Sequence, residues 1–256
     1  ESAVDNSSSE TYLQVDGVHE ADIIKNDGKY IYTVRNENDK ILIYKPDGKS
    51  VKKMSEIAYN MDEGNYINDI FLYKNNLIVQ SNSFNGDYDI FTNIDIYSLA
   101  DIKNPKKIHS FKQQGSYVSS RITSDSLLVI SNKEIYSHLC KTDKDYLPQT
   151  TLDGTEKAVE PKDICVVDNS KSASYLIVSK LDLVSKKMTT ETKAIAGAGS
   201  TVYCNENNLY VANAVFDVRD TAKKDEAVID SDFAFSNQDY STEIYKIDFE
   251  NDIKFV

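Results

Sequence analysis

A two-strand phrase recurs four times along this 256-residue chain, and that repeat limits its fold more than any other feature. The phrase runs Ile23 to Tyr32, with Asn26-Asp27-Gly28-Lys29 at its centre, then Ile70 to Val79 around Lys74-Asn75-Asn76. It returns as Ser120 to Val129 around Ser124-Asp125-Ser126, and as Val202 to Val211 around Asn205-Glu206-Asn207-Asn208. Each copy is an apolar run, a polar turn and a second apolar run, the pattern of a tight β-hairpin. With Tyr30, Leu77, Leu127 and Leu209 equivalent, the spacings are about 47, 50 and 82 residues, which is the scale of propeller blades.

A third strand follows each hairpin: Ile41–Lys45, Ile94–Ser98, Leu176–Lys180 and Glu243–Ile247. A more polar fourth strand follows the first three, at Val51–Ile57, Lys106–Phe111 and Lys187–Thr192. The expected fold is therefore all-β: a β-propeller, whole or partial, of about four four-stranded antiparallel blades. Blade boundaries fall near 20–59, 66–113, 116–196 and 199–256, inside a domain of 12–256 that follows a disordered segment of 1–11. The wide third spacing reflects an insertion near Glu134–Asn169 in blade three, and blade four carries another near Asp217–Asp239. Both interrupt the same connection, so both are expected as loops projecting from one face of the disc. Asp220–Glu226 carries a weak helix signal. The chain stops within a fourth strand at Asp252–Val256, which implies further blades and exposed blade edges open to self-association.

The net charge of −12 argues against nucleic acid, whose binding depends on Lys and Arg releasing phosphate counterions. No apolar run reaches the roughly 18 residues of a membrane helix. Three cysteines, Cys140, Cys165 and Cys204, give no complete disulfide framework. A Cys140–Cys165 bridge would pin the first insertion; three idle thiols is the simpler reading.

The stretch Leu13 to Tyr32, with Gln14-Val15-Asp16-Gly17-Val18 and Glu20-Ala21-Asp22-Ile23 at its heart, resembles the opening of a bacterial and archaeal family of secreted proteins. Those proteins carry a C-terminal β-propeller distantly related to WD repeats. Gly115-Ser116-Tyr117-Val118-Ser119-Ser120-Arg121 and Gly197-Ala198-Gly199-Ser200-Thr201-Val202-Tyr203 resemble two later family segments, in order. The likeness extends from Tyr12 onward and departs at His19, where the family carries Asp. It implies a propeller, export and a place in the secreted or cell-surface compartment. It brings no catalytic residues, because the family's function is largely unknown.

Candidate sites divide between cation and ligand binding. Asp16, Glu20 and Asp22 cluster before a strand, and Asp87 and Asp89 lie in the oxygen-rich stretch Asn82–Asp89. Ca²⁺ takes several such oxygens from a flexible loop, so it is the candidate cofactor. The same side chains also serve as turn formers. Asp143, Asp145 and Asp153-Gly154 give the first insertion the same ambiguity. Tyr117, Ser119 and Arg121 would share one strand face, as a binding surface or as an Arg paired with an acidic neighbour between blades. The chain has no His-x-x-x-His pair and no Gly-x-Ser-x-Gly elbow, and Gly197-Ala198-Gly199-Ser200 lacks the Lys of a phosphate loop. The expected function is an exported, non-catalytic module that binds a protein, peptide or glycan or acts as a scaffold. The alternative is an extracellular hydrolase using channel carboxylates, with Ca²⁺ dependence.

Overall fold

The computed structural model describes residues 18–60, 65–86, 89–167, 172–185, 187–199, 201–217, 239–250 and 252–256. They form four sheets, with strands numbered along the chain. Sheet one holds β2 (Ile24–Asn26), β3 (Ile31–Val34), β4 (Lys40–Asp47) and β5 (Ser50–Ala58). Sheet two holds β6 (Tyr66–Tyr73), β7 (Asn76–Asn85), β8 (Asp89–Ser98) and β9 (Lys106–Gln114), then continues into β12 (Gln149–Leu152) and β13 (Thr155–Ala158). Sheet three runs from β1 (Val18–Glu20) through β10 (Ser116–Thr123), β11 (Ser126–Glu134), β15 (Ser174–Asp182) and β16 (Thr190–Ala196) to β14 (Ile164–Val166). Sheet four holds β17 (Thr201–Cys204), β18 (Asn208–Asp217), β19 (Asp239–Asp248) and β20 (Lys254–Phe255).

The four repeated phrases form the β2–β3, β6–β7, β10–β11 and β17–β18 hairpins. The repeat also has a backbone signature. A β-bulge falls between Ile67 and Asp69 of β6, and another between Tyr117 and Ser119 of β10, fifty residues later in sequence number. Alternation buries one face of each strand against a neighbouring sheet. Tyr32, Val34, Ile41, Ile43, Ile70, Leu77 and Val79 join sheets one and two. Phe71, Ile78, Ile94, Phe111, Ile122 and Leu127 join two and three. Leu128, Ile130, Leu176, Leu209, Val211 and Ile247 join three and four. Among the described residues no buried apolar cluster joins four to one. Sheet four leaves Tyr203 and Ile244 exposed, and sheet one leaves Ile24 exposed.

The first insertion departs from expectation. It begins at the expected end but does not stay there as a loop. It forms a single-turn helix α1 (Asp143–Tyr146), the β12–β13 hairpin and, after a 3-10 turn at Pro161–Asp163, β14. The hairpin adds to β9, the last strand of sheet two, and β14 pairs in parallel with β16, the last strand of sheet three. An unpaired edge strand presents a row of free N–H and C=O groups, and the insertion covers two such edges. Asp153-Gly154 is the tip of the hairpin. Both residues have positive φ (47° and 81°), the type I′ conformation that Asp-Gly favours. The second insertion, with Asp220–Glu226, lies outside the described residues.

Two local expectations also change. The fourth strand of sheet three begins at Thr190 rather than Lys187, because Asp182 turns the chain by accepting bonds from the N–H groups of Val184 and Ser185. Met188 then drops into the core between sheets two and three. The oxygen-rich stretch after Asn82 is not a loop at its start: Asn82, Ser83 and Asn85 belong to β7, and Asn82 donates to the Tyr66 hydroxyl at 2.9 Å.

Candidate functional site

The first-strand edges of the sheets carry most of the expected site residues. Here the segment after Val18 crosses three sheets in seven residues. Val18–Glu20 pairs with Arg121–Thr123 of β10. Asp22 then exchanges backbone bonds with Ile70 of β6 (3.1 and 2.9 Å), and Ile24 opens sheet one. Glu20 lies directly across from Arg121, and their side chains form an ion pair at 3.3 Å with about a quarter of each exposed. Arg121 Nη1 also donates to the Ser120 carbonyl at 2.7 Å, and Lys25 Nζ donates to the Glu20 carbonyl at 2.8 Å.

The bulge at Val118 divides the expected Tyr117–Ser119–Arg121 face. An extra residue on one strand breaks the two-residue alternation. Tyr117 is opposite Ser131 and Ser120 opposite Val129, so both face sheet two; the Tyr117 and Ser120 hydroxyls bond at 2.9 Å. Ser119 is opposite Ile130 and Arg121 opposite Leu128, so both face sheet four. The three residues therefore do not form one surface. Arg121 matches the paired-Arg reading.

Three groups that sequence reasoning missed complete the cluster. Asp69 of β6 is held above the usual carboxylate range by burial and then by the charge of Asp22, against the pull of Arg121 and Lys25. Burial pushes the Lys25 ammonium down, against Asp22, Asp69 and Glu20. Burial pushes the Cys204 thiol up to about 11, and Arg121 opposes that shift. Asp69 had one available signal: it occupies the repeat position of Ser119, and so projects from an equivalent strand. For both Asp69 and Lys25 burial outweighs the opposing charges around them.

Among the described residues the carboxylates read as a cation set are not gathered into one site. Asp16 and Asp87 lie outside the described residues. Glu20 is engaged by Arg121, and Asp22 Oδ1 accepts from the Ile23 N–H at 2.7 Å. Asp89 opens β8, away from both. Asp145 closes a capping box on α1, and Asp153 holds His109 Nδ1 (2.9 Å) and the Ser110 N–H (2.9 Å). Among the described residues no group of three or more His, Cys, Asp or Glu side chains is placed to hold a metal ion. Cys140, Cys165 and Cys204 are unpaired.

Two polar cavities open toward the end of sheet two where β7 turns into β8, one on each side of that sheet. One, of about 470 Å³, lies against Gly115, Lys133, Tyr136, His138 and Cys140. The other, of about 490 Å³, runs between the end of sheet one and the face of sheet two, past Ser83, Asn93, Asp95, Lys107 and Lys112. With this architecture in view, the comparisons with known proteins are decisive for the family. The model of the beta propeller domain matches residues 8–256. The chain belongs to the beta propeller domain family. A relative of this propeller domain, an uncharacterized protein of Methanocaldococcus jannaschii, is 28% identical over 204 residues, which covers 80% of this chain. The chain spans 29% of that relative's length. No solved structure matches it. Among the described residues no helix is long and apolar enough to cross a membrane.

Proposed function

We propose that this propeller domain is an exported, non-catalytic binding or scaffolding module displayed at the cell surface. One observation carries the reading: two polar cavities, each within the size range of small-molecule sites, open at the same end of adjacent sheets. The first-strand edges support it from the other side. There the Glu20–Arg121 ion pair, the Lys25 bond to the Glu20 carbonyl and the Asp22–Ile70 backbone bonds hold three sheets together. The resemblance to secreted propeller proteins supports export. The test exposes the immobilised domain to panels of cell-envelope glycans and peptides and follows both retention and cleavage by mass spectrometry. Retention of an intact ligand is expected. Turnover that disappears in Asp69→Asn would overturn the reading.

The hydrolytic alternative rests on Asp69, a carboxyl held above its usual range beside Asp22. Raised carboxyls mark general acids, though structural clusters raise them too. The same turnover assay separates the two.

A further inference from the structure

We propose that the cavity between sheets one and two is a saccharide-binding site. This deepens the binding-module reading and rests on it. The argument starts from an interrupted pattern. In β7 the residues facing sheet one begin as Leu77 and Val79, both fully buried core, and continue on the same face as Ser81, Ser83 and Asn85. Back from Leu99, just past the end of β8, the same face of β8 reads Tyr97, then Asp95 and Asn93. β9 adds Lys107, Ser110 and Lys112 alongside. The change from apolar to polar falls near the end of sheet one. In repeat register Val34, the last residue of β3, matches Ser81, so β7 runs four residues beyond its neighbour, about 13 Å at strand spacing. The strands of sheet two overhang, and the overhang is polar on three consecutive strands.

The floor of the overhang is built and held. Asp95 is nearly fully buried, and two donors converge on its Oδ2: the Tyr59 hydroxyl at 2.9 Å and Lys107 Nζ at 2.9 Å. The Tyr97 hydroxyl donates to the Tyr59 hydroxyl at 3.3 Å. With both donors on one oxygen, Oδ1 keeps acceptor capacity. A buried carboxylate contributes little to stability relative to well-packed apolar residues. Higher up, Asn93 Nδ2 donates to Ser83 Oγ at 3.0 Å, and Lys112 Nζ lies 3.6 Å from the centroid of the Phe91 ring.

The chemistry of this surface selects the ligand class. Amides, hydroxyls, an ammonium and a carboxylate sit at cross-strand spacing, which suits a ring of neighbouring hydroxyl groups. Charge is nearly balanced: Lys107 offsets Asp95, while Asp89 and Glu156 act on Lys112. That disfavours polyphosphates. An extended peptide normally adds to a free strand edge, but β7 and β8 are interior strands paired on both sides. Recognition here runs through side chains.

The test is an NMR titration of the ¹⁵N-labelled domain with cellobiose, N,N′-diacetylchitobiose and digalacturonic acid. At least one should give saturable shifts concentrated on Ser83, Asn93 and Lys112. Asn93→Ala and Lys112→Gln, both at partly exposed positions, should each weaken it about tenfold while the remaining spectrum keeps its dispersion. No shift from any of the three at ~10 mM, or undiminished binding by both variants, would overturn the site. Cleavage of the bound sugar would keep the site and refute the non-catalytic reading.

Discussion

Replacing Gly115 with alanine isolates the joint between sheets two and three. Gly115 links β9 to β10 with φ of 100°, a conformation that L side chains rarely adopt. A Cβ there would lie 2.6 Å from the Asn132 carbonyl oxygen, 2.7 Å from its carbon and 2.9 Å from the Lys133 nitrogen. All three are backbone atoms of β11, so no side chain can turn aside. The backbone strain costs about 1–2 kcal/mol. Relieving the overlap moves a residue whose N–H donates to the Ile90 carbonyl at 2.7 Å and whose carbonyl accepts from the buried Thr92 hydroxyl at 3.0 Å. Weakening both adds about 1–3 kcal/mol, for a total of about 2–5 kcal/mol. Gly154→Ala is the matched control: φ is 81°, yet nothing lies within 4 Å of its Cβ position, so only the conformational cost of about 1–2 kcal/mol applies. Urea unfolding followed by far-UV circular dichroism, with m-values compared, measures both. Equal losses in the two variants, or a loss below about 1.5 kcal/mol for Gly115→Ala, would refute the close-approach argument.

Three further outcomes follow from the first-strand edge. A double-mutant cycle with Glu20→Gln and Arg121→Leu should give a coupling of about 1 kcal/mol; zero coupling would show that the pair is geometric only. Asp69 has a raised folded pKa, so its favourable contribution is fully present below its ordinary value of 3.8 and is lost as pH rises through the folded value. The stability of Asp69→Asn relative to wild type should therefore increase from pH 4 to pH 7, and a decrease measured by thermal melts would contradict the assigned shift. Alkylation should find three free thiols, with Cys204 slow at pH 8 and accelerating toward pH 11, its pKa having been pushed up to about 11. Reaction of Cys204 at the rate of an unfolded control at pH 8 would argue against its burial.

The order of the four repeat strands in each sheet was legible because hairpins are local, while the added strands β1 and β12–β14 were not. Asn26-Asp27-Gly28 announces a turn, and Asp27 makes it: Oδ1 accepts the N–H groups of Lys29 and Tyr30, and Oδ2 accepts the hydroxyl of the buried Tyr32. Bulges were not legible. Val118 and Asn68 have no composition that marks an extra residue, yet the first reverses which neighbours Tyr117 and Arg121 can reach. The destination of the insertion was hidden for another reason. Asp153-Gly154 between Thr151-Leu152 and Thr155 is a strong hairpin signal, but its carboxylate reads equally as a cation ligand. Its pairing with Phe111–Gln113 of the preceding repeat depends on a long-range contact that no short window contains. The polar overhang was present as letters, in Ser81, Ser83 and Asn85 after Leu77 and Val79. Its meaning required the length of the neighbouring sheet.

These long-range pairings share one physical logic. Strand order within a sheet follows from adjacent sequence, but packing sheet against sheet needs contacts that local propensity does not supply. The Val18–Ile24 segment provides them on one side by pairing with β10, bridging to β6 and entering β2 in a single pass. The first insertion provides them on the other by adding to β9 and β16. Between them Gln113 of sheet two, fully buried, donates to Ser131 Oγ at 2.8 Å and to the Ile177 carbonyl at 3.2 Å, and accepts from Ser179 Oγ at 2.5 Å, all in sheet three. A buried amide satisfied on both ends fixes the register of two sheets more sharply than apolar contact, which tolerates sliding. The ionic and polar groups at the centre of sheets two and three therefore act chiefly as fasteners. That leaves recognition to the places where the sheets end unevenly.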